Sequence, residues 1–397
     1  MNPPESPENT HENISSQWEL AEGVTYLNHG SFGPSPNCVR AEREKWTRQL
    51  EHQPMNFFLR EMEEELIQAE RKLADFVGAP GKDLVFVDNA TFGMNVVANS
   101  LPLQADDEVL LTDHEYGAVN RIWQRVCRNA DAKVVTAKLP YPMTSVEAII
   151  DAIMDKVSTR TRMIVVSHVT SPTAVTLPVQ DICRRARERN IPVCVDGPHA
   201  VGMIPLNIRE LGCDFYTASC HKWLSAPFGT GFLYVAPKWQ AKLVPAVLSW
   251  GGSICGSDFQ WQDEFRWMGT RDPAGFLAVP RAIEFLEEYG LENFRTRTHQ
   301  LACQFRERMT ELTGLQPFVP ESSEWLGSMA AVPLPPLNEQ PPKPGRLEPL
   351  QMALWERYRI EIPVVHWQGH RFLRVSCHLY NSSRDLDVLM QALSQLL

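Results

Sequence analysis

The chain has 397 residues, 44% of them hydrophobic and 22% charged, the proportions of a folded globular protein and not of a disordered, fibrous or coiled-coil one. Its formal net charge of −10 argues against the basic footprint that nucleic acid or an anionic membrane surface demands, yet leaves room for a local cationic pocket. No apolar run approaches the ~18 residues of a membrane span.

The first twenty residues are polar and carry Pro3, Pro4 and Pro7, so a mobile arm is expected there and not a signal peptide. Phe58, Met62, Leu66 and Leu73 recur near helical spacing and predict a helix over Asn56–Val77, stopped by Gly78-Ala79-Pro80-Gly81. Strands are expected at Leu84–Val87, Glu108–Thr112, Lys133–Thr136, Met163–Ser167, Pro192–Asp196, Phe215–Ser219 and Gly231–Val235. Helices intervene, among them Ser145–Lys156, with Thr144 and Glu147 as a capping box, and Val179–Asn190. This alternation implies βαβ units and a mostly parallel sheet. After about residue 280 come a helical stretch Pro280–Leu312, short strands at Ser328–Val332 and Phe372–Ser376, and a final helix Ser383–Leu396. A Pro-rich connection, Pro333 to Pro344, separates those two strands. The expected division is an arm (1–20), an α/β domain (21–280) and a smaller α+β domain (281–397) on which the N-terminal segment packs. Nine cysteines, an odd number with no C-x-x-C pair, point to reduced thiols in a cytoplasmic setting and to no metal site.

Ligands of an open parallel sheet bind beyond the carboxyl ends of its strands. The first predicted strand leads into Asp88-Asn89-Ala90-Thr91 and the second into Asp113-His114-Glu115-Tyr116-Gly117. Met163–Ser167 is followed by His168-Val169-Thr170-Ser171, Pro192–Asp196 by Gly197-Pro198-His199, and Phe215–Ser219 by Cys220-His221-Lys222. Ala90-Thr91 at a helix start offers backbone N–H groups to a phosphate, or is an ordinary cap. Asp196 closes an apolar strand, where a carboxylate is costly unless a cation or donor meets it. Lys222 is either a surface lysine or a desolvated amine poised for covalent chemistry. A lysine, a carboxylate, a phosphate cradle, an aromatic ring and a hydrogen-bond donor on one edge are what pyridoxal 5'-phosphate (PLP) requires.

With those residues in view, the chain resembles the class V aminotransferase group of fold-type I PLP enzymes, which includes the cysteine desulfurases, from about Tyr26 to the C-terminus. Val195-Asp196-Gly197-Pro198-His199-Ala200 and Ser219-Cys220-His221-Lys222, with Gly229-Thr230-Gly231, carry its cofactor motifs. Tyr26-Leu27-Asn28-His29-Gly30-Ser31-Phe32-Gly33-Pro34, Asp113-His114-Glu115-Tyr116-Gly117-Ala118 and Arg374-Val375-Ser376-Cys377-His378-Leu379-Tyr380-Asn381 resemble the isopenicillin N epimerase-like branch. The resemblance implies an α/β fold: a three-layer large domain around a mostly parallel sheet, with a smaller α+β C-terminal domain. It implies that Lys222 carries the cofactor covalently and later moves the α-proton. Asp196 would pair with the ring nitrogen, His199 would reach the phenolic oxygen and Tyr116 would stack on the ring. Ala90, Thr91, Ser219 and His221 would hold the phosphate, with Ser171 also at the cofactor. Arg374 would clamp a substrate carboxylate, with Asn28 and His29 near the substrate. Thr270, in Gly269-Thr270-Arg271, would reach a neighbouring subunit's phosphate, which implies a homodimer acting on an amino-acid-like small molecule.

The reaction is less determined than the cofactor. A cysteine desulfurase needs a nucleophilic Cys on a loop shortly before the carboxylate-binding Arg, and Trp355–Arg374 contains none. An epimerase needs a second base opposite Lys222, for which Tyr116 and His29 are candidates. Transamination and carbon–sulfur lysis stay open on the same residues. A nucleotide-dependent oxidoreductase is disfavoured because no G-x-G-x-x-G follows the first strand. A serine hydrolase is disfavoured because Gly251-Gly252-Ser253-Ile254-Cys255 is not a nucleophile elbow. The intact Lys222, Asp196 and His199 speak against a non-catalytic protein that kept the fold. His168, His366 and His370 are expected to be structural or surface residues.

Overall fold

The computed structural model describes residues 14–336 and 348–397; Pro3, Pro4, Pro7, Pro341, Pro342 and Pro344 fall outside them. The chain enters through strand β1 (Thr25–Tyr26) and helices α1 (Asn37–His52) and α2 (Met62–Phe76). Then follow β2 (Leu84–Val87), α3 (Ala90–Ser100), β3 (Glu108–Thr112), α4 (Gly117–Asn129), β4 (Lys133–Ala137) and α5 (Val146–Met154). Next come β5 (Thr161–Ser167), α6 (Val179–Glu188), β6 (Val193–Asp196), β7 (Phe215–Ser219) and β8 (Gly231–Val235). The last part holds α7 (Val279–Tyr289), α8 (Leu291–Thr313), β9 (Met329–Pro333) and α9 (Pro349–Tyr358). It ends with β10 (Ile360–Glu361), β11 (Val364–Trp367), β12 (His370–Ser376) and α10 (Ser383–Leu396).

Seven strands form one mixed sheet in the order β2-β8-β7-β6-β5-β3-β4, with β8 alone running against the rest. Successive side chains point to opposite faces, so each apolar strand feeds two cores. On β2, Leu84 and Phe86 join one buried cluster and Val85 and Val87 the other; on β5, Ile164 and Val166 divide likewise from Met163 and Val165. Helices α3 and α4 cover one face through Met94, Val97 and Trp123. Helices α2, α6 and α7 cover the other through Leu73, Ile182 and Ile283. These are the three layers of an α/β fold. A separate three-stranded antiparallel sheet, β11-β12-β9, rests on its own buried cluster with α8 and α10, and β1 pairs in parallel with β10.

Several local expectations need correction. The helix placed over Asn56–Val77 is interrupted by a π-helical turn, Phe57–Glu61, before α2 begins. Helix α1 was not anticipated, because its face is charged and only Val39 and Leu50 are buried. Ser145, not Thr144, caps α5, accepting from the Ala148 N–H at 3.3 Å. The stretch Pro280–Leu312 is two helices broken at Gly290, whose φ of 93° a helix cannot hold. The arm is anchored before residue 20: Trp18 is buried, donates to the Pro34 carbonyl at 3.0 Å and meets His378 edge-on.

One glycine decides how α3 sits on the sheet. A Cβ on Gly93 would lie 2.1 Å from Thr217 Oγ1 on β7, so only glycine allows that approach. Gly93→Ala is therefore expected to destabilise the protein by about 1–3 kcal/mol through overpacking. Adding Thr217→Ala, which removes the obstructing oxygen, should restore part of the loss in a thermal unfolding experiment. An unchanged Tm in the single variant would contradict this packing.

Candidate active site

A cavity of about 560 Å³ opens at the carboxyl ends of β2, β3, β5, β6 and β7, closed by the loop after β1 and by Arg374 of β12. The sheet register accounts for the convergence. Ser167 pairs with Asp196 and Asp196 with Thr217 across adjacent parallel strands, so the chain beyond each strand emerges on one edge. Lys222 reaches into the cavity with Nζ 3.0 Å from His199 Nε2. Desolvation lowers the Lys222 ammonium well below its ordinary range, the Arg374 guanidinium adds to this, and Asp196 opposes it. Burial likewise raises Asp196, held back only by the attraction of Lys222. Among the described residues no donor hydrogen-bonds the Asp196 carboxylate. His199 is buried with its Nδ1 unpartnered.

The first turn of α3 forms the opposite end. Asn89 caps the helix by accepting from the Phe92 N–H at 2.9 Å, and the Ala90 N–H donates to Ser219 Oγ at 3.0 Å. The Thr91 N–H remains among the first-turn donors that a helix leaves without an intrahelical partner. Gly231 lets this cap sit against β8, since a Cβ there would lie 2.5 Å from the Ala218 carbonyl and 2.8 Å from Asn89 Cα. Tyr116 stands at the mouth, half exposed, immediately before α4.

Arg374 is buried, yet among the described residues it makes no ion pair. It donates from Nη1 to the Ser171 carbonyl at 2.5 Å and to Ser171 Oγ at 3.3 Å, and from Nη2 to Ser31 Oγ at 2.8 Å. Its Nε has no partner. Burial lowers it to about 10, with Tyr116 pulling the other way. A buried guanidinium lacking an acid calls for an anion.

Ten of the anticipated residues line this one cavity: Ala90, Thr91, Tyr116, Ser171, Asp196, His199, Ser219, His221, Lys222 and Arg374. The unpaired Asp196 carboxylate, the free His199 nitrogen and the α3 N-terminus fit the group that the sequence resemblance implies. Three anticipated residues are elsewhere. His29 lies behind the wall, completely buried, bonded through Nδ1 to the Tyr380 hydroxyl at 2.8 Å and through Nε2 to the Lys222 carbonyl at 2.9 Å. It stacks on His378 with ring centroids 4.0 Å apart. Asn28 is buried beside it, bridging to Ser376. Thr270 is exposed and does not line the cavity within one chain. Ser171, expected at the cofactor, is engaged with Arg374. Ser31, Phe32 and Ser167 line the cavity without having been singled out. Ser167 ends a predicted strand, a position that marks it as a candidate in hindsight. Among the other histidines, His168 is a core group bonded to the Tyr216 hydroxyl at 3.0 Å, His366 is exposed and His370 stacks on Tyr141. No cysteine lines the cavity, and Cys377 is fully buried beyond Arg374.

The profile of the aminotransferase class-V family matches residues 34–389. The isopenicillin N epimerase of Amycolatopsis lactamdurans is 36% identical over 97% of this chain and 98% of its own. A putative L-cysteine desulfhydrase of Oryza sativa is 27% identical over 96% of this chain and 85% of its own. Among solved structures, a C-DES protein with glycine covalently linked to its PLP cofactor superposes with a TM-score of 0.80. That structure shares 18% identity and covers 98% of this chain and 99% of the other.

The buried imidazoles make stability depend on pH. Burial lowers His168 and His221 to about 4 and His378 to about 3, and it lowers His29 and His199 well below their ordinary value. The unfolded chain takes up these protons below about 6.5, whereas the folded chain does not. Their contribution is therefore complete above that pH and is lost as pH falls towards 4 and 3. Melting curves across this range should show Tm falling, with a shallower fall in His378→Phe; a flat Tm would contradict the assignment.

Proposed function

The chain belongs to the aminotransferase class-V family, and from that premise we propose that it is an epimerase or racemase inverting the α-carbon of an amino acid or amino-acid-derived substrate, resembling isopenicillin N epimerase. The observation that carries this reading is the end-to-end similarity to that epimerase, 36% against 27% for the desulfhydrase. The cofactor is pyridoxal 5'-phosphate, which, when bound, supplies an electron sink for the charge left at the α-carbon.

Each side chain has a task in this reading. Lys222 Nζ holds the cofactor and, once released, takes the α-proton; its desolvation keeps the amine unprotonated enough for both. Asp196 meets the ring nitrogen and His199 the phenolic oxygen, while Ala90, Thr91, Ser219 and His221 hold the phosphate. Arg374 grips the substrate carboxylate, with Ser31 and Ser171 fixing its plane. Tyr116 is favoured over His29 as the second proton carrier, because it lines the cavity and His29 does not. Thr270 reaches the phosphate of a second copy in a homodimer. The nine free thiols suit a reducing cytoplasm, and among the described residues no helix is long and apolar enough to cross a membrane.

A carbon–sulfur lyase is the second reading, favoured by the desulfhydrase similarity; it needs Lys222 as base and no second carrier. Persulfide transfer is disfavoured by the absence of a cysteine from the cavity lining. The test is a panel of L- and D-amino acids in deuterated water, scoring inversion, keto-acid release and sulfide release separately. Inversion with deuterium at the α-carbon is expected. Tyr116→Phe should lose inversion by about 10²-fold or more while Lys222-dependent exchange persists. Sulfide release without inversion would favour the lyase, and normal inversion in both Tyr116→Phe and His29→Asn would end the two-base account.

A further inference from the structure

Glu115 is a buried carboxyl that the reading above does not use. It follows β3, next to Tyr116, and points back between the ends of β3 and β5 instead of out to solvent. Its Oε1 accepts from Thr112 Oγ1 at 2.7 Å and from the Ser167 N–H at 3.2 Å, and its Oε2 accepts from Ser167 Oγ at 2.7 Å. Among the described residues no cation pairs with it. A carboxyl buried without a cation is costly, and a neutral amide would fill the same space.

Its placement gives the cost a use. Ser167 pairs in register with Asp196 on the neighbouring strand, and both line the cavity. Two acidic groups thus flank Ser167, with Asp196 in the cavity and Glu115 behind it. Because the Ser167 hydroxyl donates to Glu115, that serine hydrogen is unavailable to Asp196. The other charged group on the same loop, Asp113, is occupied by His114 Nδ1 at 3.0 Å and by the Leu139 N–H at 3.1 Å. Across the cavity Lys222 and Asp196 attract each other, and Arg374 acts on Lys222.

We propose that Glu115 is a positioning residue for the cofactor ring, a second buried carboxylate that reinforces the negative field at Asp196 and so keeps the ring nitrogen protonated. It touches neither substrate nor cofactor; it acts through Ser167 and Asp196. Burial and the Asp196 charge push its carboxyl up to about 7, while the three donors pull it down. A cationic ring in the cavity adds to that downward pull and favours the ionised form. The electron sink that serves α-carbon chemistry depends on that ring proton, so Glu115 would matter equally to an epimerase and a lyase.

The proposal rests on PLP occupying the cavity, and the experiment separates the two. Wild-type protein, Glu115→Gln and Ser167→Ala are stripped of cofactor and reloaded with PLP. The Kd for PLP, the Tm and the midpoint of the ring-nitrogen titration, followed by NMR on PLP isotopically labelled at that nitrogen, are then measured. Loss of a negative charge near the cofactor lowers the midpoint, by about one unit in Glu115→Gln and by less in Ser167→Ala, with Tm near wild type. The Kd for PLP should rise about tenfold in Glu115→Gln, the equivalent of one pKa unit. A Glu115→Gln midpoint equal to wild type overturns the proposal, whether or not the Kd changes, because Glu115 is then only a brace. If Glu115→Gln does not fold, Ser167→Ala decides: an unmoved midpoint overturns the proposal. Wild-type protein that takes up no PLP would instead sink the cofactor assignment.

Discussion

The structure is organised around one electrostatic constraint: an amine and a carboxylate are held out of water at the ends of neighbouring strands. Asp196 ends β6, and Lys222 follows β7, its partner in the sheet. Neither charge would be tolerated there by packing, and burial drives both toward neutrality. A protein bears such a cost where the groups are to meet something else, and the Asp196 carboxylate without a hydrogen-bond donor and the Arg374 guanidinium without an acid show where that is. The parallel sheet makes the arrangement possible, because every strand but β8 delivers its following loop to the same edge.

A second constraint fixes the loop that carries Lys222. Its carbonyl is taken by His29, from the segment after β1, and His29 stacks on His378, which follows β12. Ser225 Oγ lies within 3.4 Å of both imidazole Nε2 atoms, and Trp18 closes the assembly from outside. Three distant stretches of chain are knotted directly beneath Lys222. His29 thus matters to the site by rigidity, not by contact with its contents. Arg374 extends the same logic: the strand that bears it belongs to the smaller sheet, while Ser31 and Ser171, which orient it, come from the N-terminal loop and from the turn that follows β5.

Much of this was legible in the sequence. The strands β2, β3, β7 and β8 occur where continuous apolar runs place them, because a strand covered on both faces has no polar side to blur its limits. The residues that line the cavity were legible for a related reason: a titratable residue directly after an apolar strand stands out against its neighbours. Helix α1 was not legible, since a helix that buries only two side chains has little apolar periodicity. Nor was the shift of the α5 cap by one residue, where Thr144 and Ser145 offer the same hydroxyl chemistry and only the backbone chooses.

What the sequence by itself determined, then, was the layered fold and the chemistry gathered on one edge of it, because both follow from short-range patterns of burial and charge. Only the tertiary structure decided which polar residues face the cavity. Asn28, His29, Ser31 and Phe32 lie within five consecutive positions, yet the first two are buried behind the wall and the last two form it. That division is set by where the loop meets His378, Tyr380 and Arg374, some 350 residues away in the chain. Glu115 is the same case, adjacent to Tyr116 in sequence but turned inward by Thr112 and Ser167. Which way a side chain points at the end of a strand depends on partners that no local pattern encodes.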